Sequence, residues 1–206
     1  MDLTMSRIRN TLMLTGALAA AITLAGCSSG PGSMSGMDHG SSSTVAPSPS
    51  GETGSFNDQD VMFAQMMTAH HQQAIEMSDM LLAKTGVDEN VAQFAEKIKA
   101  AQQPEIDTMT GWLESWGEST DSMSGMDHGS GGMMSDDDMA ALEQADGAAA
   151  GKLFLEQMIQ HHEGAIEMAQ TEVDSGENPD AVTLAKKIVT DQTAEIAEMQ
   201  SMLAAL

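Results

Sequence analysis

The tightest constraint on this chain is an internal repeat. The fifteen residues Phe63 to Met77 (FAQMMTAHHQQAIEM) return 91 residues later as Phe154 to Met168 (FLEQMIQHHEGAIEM), with eight positions identical. The shared positions include Phe63/Phe154, Met67/Met158, His70/His161, His71/His162 and the run Ala-Ile-Glu-Met. Positions 63, 67, 70, 74, 77 and 81 step by four and three, the spacing of one apolar seam on an α-helix. His70 falls inside that seam, so a histidine and several methionines face a core, and they do so twice.

Helix signals extend the repeat into hairpins. Asn57 can cap a first helix, with Asp58 and Asp60 against the positive end of its dipole, running to about Lys84 before Gly86 stops it. A second helix is expected from about Asp88 to Trp116, burying Val91, Phe94, Ala95, Ile98, Ile106, Met109 and Leu113. Pro104 lies inside it and should produce a kink. Asp136 to Asp138 open a short helical stretch, and Asp146 caps a third long helix ending near Ser175-Gly176. Asn178-Pro179 then starts a fourth, with proline at the first helical position.

The fourth helix repeats the second: Gln102, Glu105, Ile106, Met109 and Leu113 match Gln192, Glu195, Ile196, Met199 and Leu203. The expected fold is therefore all-α, a duplicated helical hairpin closing into a four-helix bundle about a pseudo-twofold axis. Residues 56–117 form one hairpin and residues 137–206 the other. The alternative is a homo-oligomer in which each hairpin pairs with another chain.

Residues 1–26 read as a secretory signal peptide. Arg7 and Arg9 precede the apolar run Thr11 to Ala25, which is too short for a stable membrane span and ends in Leu-Ala-Gly-Cys at 24 to 27. That ending resembles a bacterial lipobox, making Cys27 the lipidated residue that anchors the protein to the outside of the cell membrane; the plainer reading is an ordinary signal with an incidental cysteine. Cys27 is the only cysteine, so it has no disulfide partner within the chain. Residues 27–55 and 118–136 are rich in Gly, Ser and Met without apolar periodicity, and are expected to be a disordered tether and loop. The nonapeptide SMSGMDHGS occurs unchanged in both, at 33 to 41 and at 122 to 130.

A net charge of −23 opposes binding to nucleic acid or to anionic lipid headgroups, and the absence of tyrosine leaves few stacking platforms. No nucleophilic triad, phosphate loop or Cys-x-x-Cys is present, so an enzyme is not expected. Methionine is the compositional outlier, with 17 of 20 lying after Gly26. Thioether sulfur is a soft ligand that favours Cu(I), and imidazole accepts either copper oxidation state.

The helix Phe-x-x-x-Met-x-x-His-His-x-x-Ala-Ile-x-Met followed by a helix Gln-x-x-Glu-Ile-x-x-Met resembles the bacterial extracytoplasmic family named domain of unknown function 305. The resemblance covers about residues 56 to 116 and 137 to 206. It implies a ferritin-like helical bundle and an association, in some members, with copper binding and copper resistance.

The candidate ligands fall into two groups. On the first helix Met62, Met66 and His70 form one ridge at i, i+4, i+8, with Met67 and His71 beside it. The third long helix keeps Met158, His161 and His162 but has Leu153 and Gln157 in place of Met62 and Met66, so a site here should be richer in sulfur on the first helix. Met67 and Met158 also serve as ordinary core residues, while His71 and His162 suit either a partly exposed ligand or a solvated polar residue. The second group, Met34, Met37 and His39 with Met123, Met126 and His128, lies in segments without a core to pack. It can wrap one soft ion, or it can be a linker copied by the duplication. A di-iron site fits poorly, because no Glu stands three residues before any of the four helical histidines, and Glu105 and Glu195 read equally well as helix surface. A non-metal reading also stands: an envelope lipoprotein whose bundle binds another protein.

Overall fold

The structure is a computed structural model and describes residues 54–120 and 131–206. Five helices account for nearly all of them: α1 (Asp58–Leu82), α2 (Glu89–Trp116), α3 (Asp136–Gln144), α4 (Gly147–Ser175) and α5 (Pro179–Ala205). Each start is set by a side-chain cap. Asn57 accepts from the backbone N–H groups of Gln59 and Asp60, while the Asp60 carboxylate accepts from Asn57 N, closing a capping box. Asp88, Ser135, Asp146 and Asn178 cap the other four.

Two boundaries refine the sequence reading. α1 ends at Leu82, two residues early, and the turn that follows closes on Gly86 at φ +80°. α2 runs unbroken through Pro104, so the missing N–H removes one bond without ending the helix.

α1 packs on α2 and α4 packs on α5, giving two hairpins, and α1 and α4 then face each other across the bundle. The hairpins thus pair within one chain. α3 lies against α1 and α4. Among the described residues no helix is long and apolar enough to cross a membrane.

The apolar residues do not form one continuous core. One cluster holds Met77 and Leu81 of α1, Phe94 and Ile98 of α2, Phe154 and Met158 of α4, and Met199 of α5. The other holds Phe63 and Met67, Met109 and Leu113, Ala165 and Ala169, and Ala185 and Ile188. Phe63 and its copy Phe154 sit in opposite clusters, as a twofold axis perpendicular to the bundle requires. Full burial of each Leu, Met or Phe contributes about 1.5–3 kcal/mol, so the two clusters hold the bundle together on either side of what lies between them.

Candidate metal centre

A polar layer crosses the bundle between the two clusters. Each long helix supplies two buried members: His70 and His71 from α1, Gln102 and Glu105 from α2, His161 and His162 from α4, and Gln192 and Glu195 from α5. Position along the helices explains the layer. His70 and His71 stand between Met67 and Ala74, and His161 and His162 between Met158 and Ala165, all four flanking residues being fully buried.

The imidazoles meet at the centre. His70 and His161, equivalent in the duplication, stack with ring centroids 3.7 Å apart and planes inclined by 39°. His71 donates through Nε2 to Glu105 Oε2 at 2.8 Å, and His162 through Nε2 to Glu195 Oε2 at 3.0 Å. His70 Nε2 donates to the carbonyl of Gly131 at 3.1 Å. These acceptors place the ring proton of each of the three histidines on Nε2, leaving Nδ1 with a free lone pair. Among the described residues, Nδ1 of His70, His71 and His162 is buried without a partner, and so are both ring nitrogens of His161. A buried polar atom left unpaired costs about 1–3 kcal/mol, and five gathered in one layer need an explanation.

Burial also keeps His70, His71 and His161 neutral. Burial pulls His70 down to about 3, with the neighbouring His71 and His162 adding to the effect. Burial likewise takes His161 well below its ordinary value, and it lowers His71 despite the upward pull of Glu105. At neutral pH the free nitrogens of these three therefore carry lone pairs, the state a metal ion requires. Burial alone would raise Glu105, but hydrogen bonds from His71 and Lys187 hold it below its usual range. Glu105, Glu195, Gln102 and Gln192 line a groove of about 260 Å³ beside Lys97 and Lys187, so the carboxylates form the outer edge of the layer.

The structure corrects the sequence reading here. His71 and His162 are fully buried and paired, neither solvated nor partly exposed. The cause is α2 and α5, which cover the flanks of α1 and α4 and bring a carboxylate to each ring. Glu105 and Glu195 are accordingly not surface residues, and they are what a reading of each helix alone missed. Their signal was the Gln-x-x-Glu spacing repeated 90 residues apart.

The methionines divide. Met67 and Met158 are fully buried in the clusters that flank the layer, one turn from the histidines. Met66 is half-buried and stands one turn before His70. Met62 is 40% exposed. Eight residues overshoot two helical turns by about 80°, so the ridge from Met62 to His70 twists out of the core. At the position of Met66, α4 has buried Gln157, whose amide donates to Asp138 O at 2.9 Å and fastens α3. Cys27, Met34, Met37, His39, Met123, Met126 and His128 lie outside the described residues.

Among the described residues no three His, Cys, Asp or Glu side chains already converge on one point as a metal-holding set. Hard cations take oxygen ligands, and the two layer carboxylates already accept hydrogen bonds from imidazole. The layer offers imidazole nitrogen at the centre and thioether sulfur one turn along the helices, donor types that suit a soft ion.

Comparison with known proteins agrees with this fold. Domain of unknown function (DUF305) matches residues 60–203. No curated protein shows significant similarity. Among solved structures, a DUF305 protein from Streptomyces coelicolor is 34% identical, with a TM-score of 0.66 over 71% of this chain and 91% of its own. A DUF305 fragment from Deinococcus radiodurans is 30% identical, with a TM-score of 0.68 over 74% of this chain and 100% of its own. CopM in its Cu(I)-bound form is 30% identical, with a TM-score of 0.61 over 71% of this chain and 96% of its own, and CopM is also known in Cu(II)- and silver-bound forms. The match runs through all four long helices and both His-His pairs, and the chain belongs to the DUF305 family.

Proposed function

We propose that this protein binds copper, with Cu(I) preferred, in the histidine layer at the middle of its bundle. The observation that carries this reading is the group of five buried ring nitrogens, on four imidazoles, that have no hydrogen-bond partner among the described residues. Nδ1 of His70 and a ring nitrogen of His161 are the central donors, with His71 and His162 beside them. Met67 and Met158 are the sulfur donors nearest along the helices, and Met66 adds a third on α1. Glu105 and Glu195 hold their imidazoles by Nε2, the carboxylate–histidine arrangement that orients metal ligands. The likeness to CopM, solved with Cu(I), Cu(II) and silver, supports the same class of ion.

The reading places the protein outside the cell membrane, held by a lipid on Cys27 after the signal peptide is removed. Its role is binding, to sequester copper or to hand it on, rather than catalysis. Met34, Met37 and His39 with Met123, Met126 and His128, in Gly- and Ser-rich sequence, act as weaker capture ligands. The test is a competition titration with Cu(I) and a chromophoric chelator on the chain beginning after Cys27. Withdrawal of copper from the chelator is expected; no competition at micromolar protein would sink the copper reading.

A further inference from the structure

A short strap crosses the bundle over the histidine pair. Residues 131–134 follow the second nonapeptide directly in sequence and lead into α3, and three sets of contacts seat them on α1 and α4. The Gly131 carbonyl accepts from His70 Nε2 at 3.1 Å. The Gln73 side chain grips the strap at two points, its Nε2 donating to Met134 O at 2.9 Å and its Oε1 accepting from Met134 N at 2.8 Å. Gly132 lies on α4 with no room for a side chain, since a Cβ there would stand 2.7 Å from Gly164 Cα and 2.9 Å from Gln160 O. A Cβ on Gly164 would overlap Gly131 O and Gly132 Cα. Gly131 and Gly132 both hold positive φ, at 40° and 82°, a backbone that glycine adopts at no steric cost.

Gln73 and Gly164 are the same position in the two copies of the repeat, 91 residues apart. In α1 that position carries the amide that clamps the strap, and in α4 it carries nothing, which lets the strap's backbone sit down. The divergence breaks the pseudo-twofold symmetry where the two stacked imidazoles meet. His70 acquires a fixed acceptor for Nε2–H, while His161 keeps both nitrogens unpartnered.

We propose that the strap is a positioning element of the metal centre: seated by Gln73 and Gly164, it uses the Gly131 carbonyl to fix the His70 tautomer that presents Nδ1. It makes the two central ligands unequal, His70 preset and His161 adaptable. The functional half of this proposal rests on the copper reading, and the structural half does not.

The Gly164→Ala variant tests it without touching a ligand. Alanine is the better helix former, so α4 persists while its methyl group evicts Gly131 and Gly132. Gln73→Ala loosens the same strap from the α1 side with no clash, and serves if the first variant folds poorly. The first readout is the set of ¹⁵N ring signals of His70 in copper-free protein. A single Nε2–H tautomer is expected in the unmutated chain and a mixture in both variants. The second is Cu(I) release to a chelator, expected to be at least ten-fold faster in the variants. Ring signals that are the same in all three proteins overturn the proposal whether or not the chain takes up copper. Changed ring signals with unchanged release overturn the positioning role. An unmutated chain that takes no Cu(I) overturns the copper reading instead, and the strap is then judged on the ring signals alone.

Discussion

His161 stacks on His70 at 3.7 Å, and neither of its ring nitrogens has a hydrogen-bond partner although it is wholly buried. For stability alone this is a poor use of a core position, because an apolar side chain would bury no unpaired atoms. His161→Leu is therefore expected to leave the unfolding free energy unchanged or higher, while removing most of the Cu(I) affinity. Urea unfolding and chelator competition on the same variant separate the two effects. A clear loss of stability with intact copper binding would make His161 a packing residue.

Its neighbour behaves differently. His71→Ala removes the buried donor from Glu105, leaving the carboxylate with Lys187 on one oxygen only. The cost should be about 1–3 kcal/mol for the unpaired group, with the cavity adding to it. Equilibrium unfolding of His71→Ala beside His161→Leu checks this contrast, and equal effects would contradict it.

Glu105→Gln and Glu195→Gln keep the shape of the partner and remove its charge. Loss of such an outer partner typically weakens metal binding by about 10–100-fold. Each variant is expected to show a drop within that range while circular dichroism stays unchanged. Unaltered affinity in both would reduce the carboxylates to structural caps of the imidazoles.

Met67→Leu and Met158→Leu conserve volume in the two apolar clusters, so each should cost less than about 1.5 kcal/mol. If these sulfurs are ligands, the double variant loses Cu(I) affinity and keeps that for Cu(II), which relies less on thioether. Titration with both ions reads this directly. Equal Cu(I) binding by the variant and the parent assigns the two methionines to packing.

Stability of the copper-free protein should depend on pH with a maximum at about 7. His70, His71 and His161 have folded values held below 6.5 by burial, so below that pH the unfolded chain binds more protons and stability falls as pH falls. Glu172 acts in the opposite sense: burial and the nearby Asp60 carboxylate push it from 4.5 up to about 8. The folded state then holds the extra proton, and stability declines as pH rises from 4.5 to about 8. Three histidines outweigh one glutamate on the acid side, and between about 7 and 8 the glutamate dominates. Glu172→Gln should abolish the decline between about 7 and 8 in a pH series of thermal unfolding; a variant that declines as the parent does would contradict this account.

Much of this architecture was legible because it is local or duplicated. Asn57, Asp88, Asp146 and Asn178 announce helix starts by chemistry that acts within three residues, and the 91-residue repeat dictates paired hairpins. His70 was legible as a seam residue. His71 was not, because its burial comes from α2 rather than from its own helix, and a single-helix pattern cannot register a neighbour's coverage. Asp60 shows the same limit: beyond its capping role it accepts from the N–H groups of Glu177 and Asn178, more than a hundred residues away. The Gly131–Gly132 strap continues a low-complexity run, so composition hid it. The exchange of Gln73 for Gly164 within an otherwise similar motif was the one trace it left.

The central claim is that copper sits among the histidines between the two apolar clusters. Copper-edge X-ray absorption on the Cu(I)-loaded chain and on its His70→Ala/His161→Ala variant tests it most directly. The account predicts mixed nitrogen and sulfur ligation in the parent and a smaller nitrogen contribution, with weakened binding, in the variant. The same spectrum and occupancy in both proteins would contradict it.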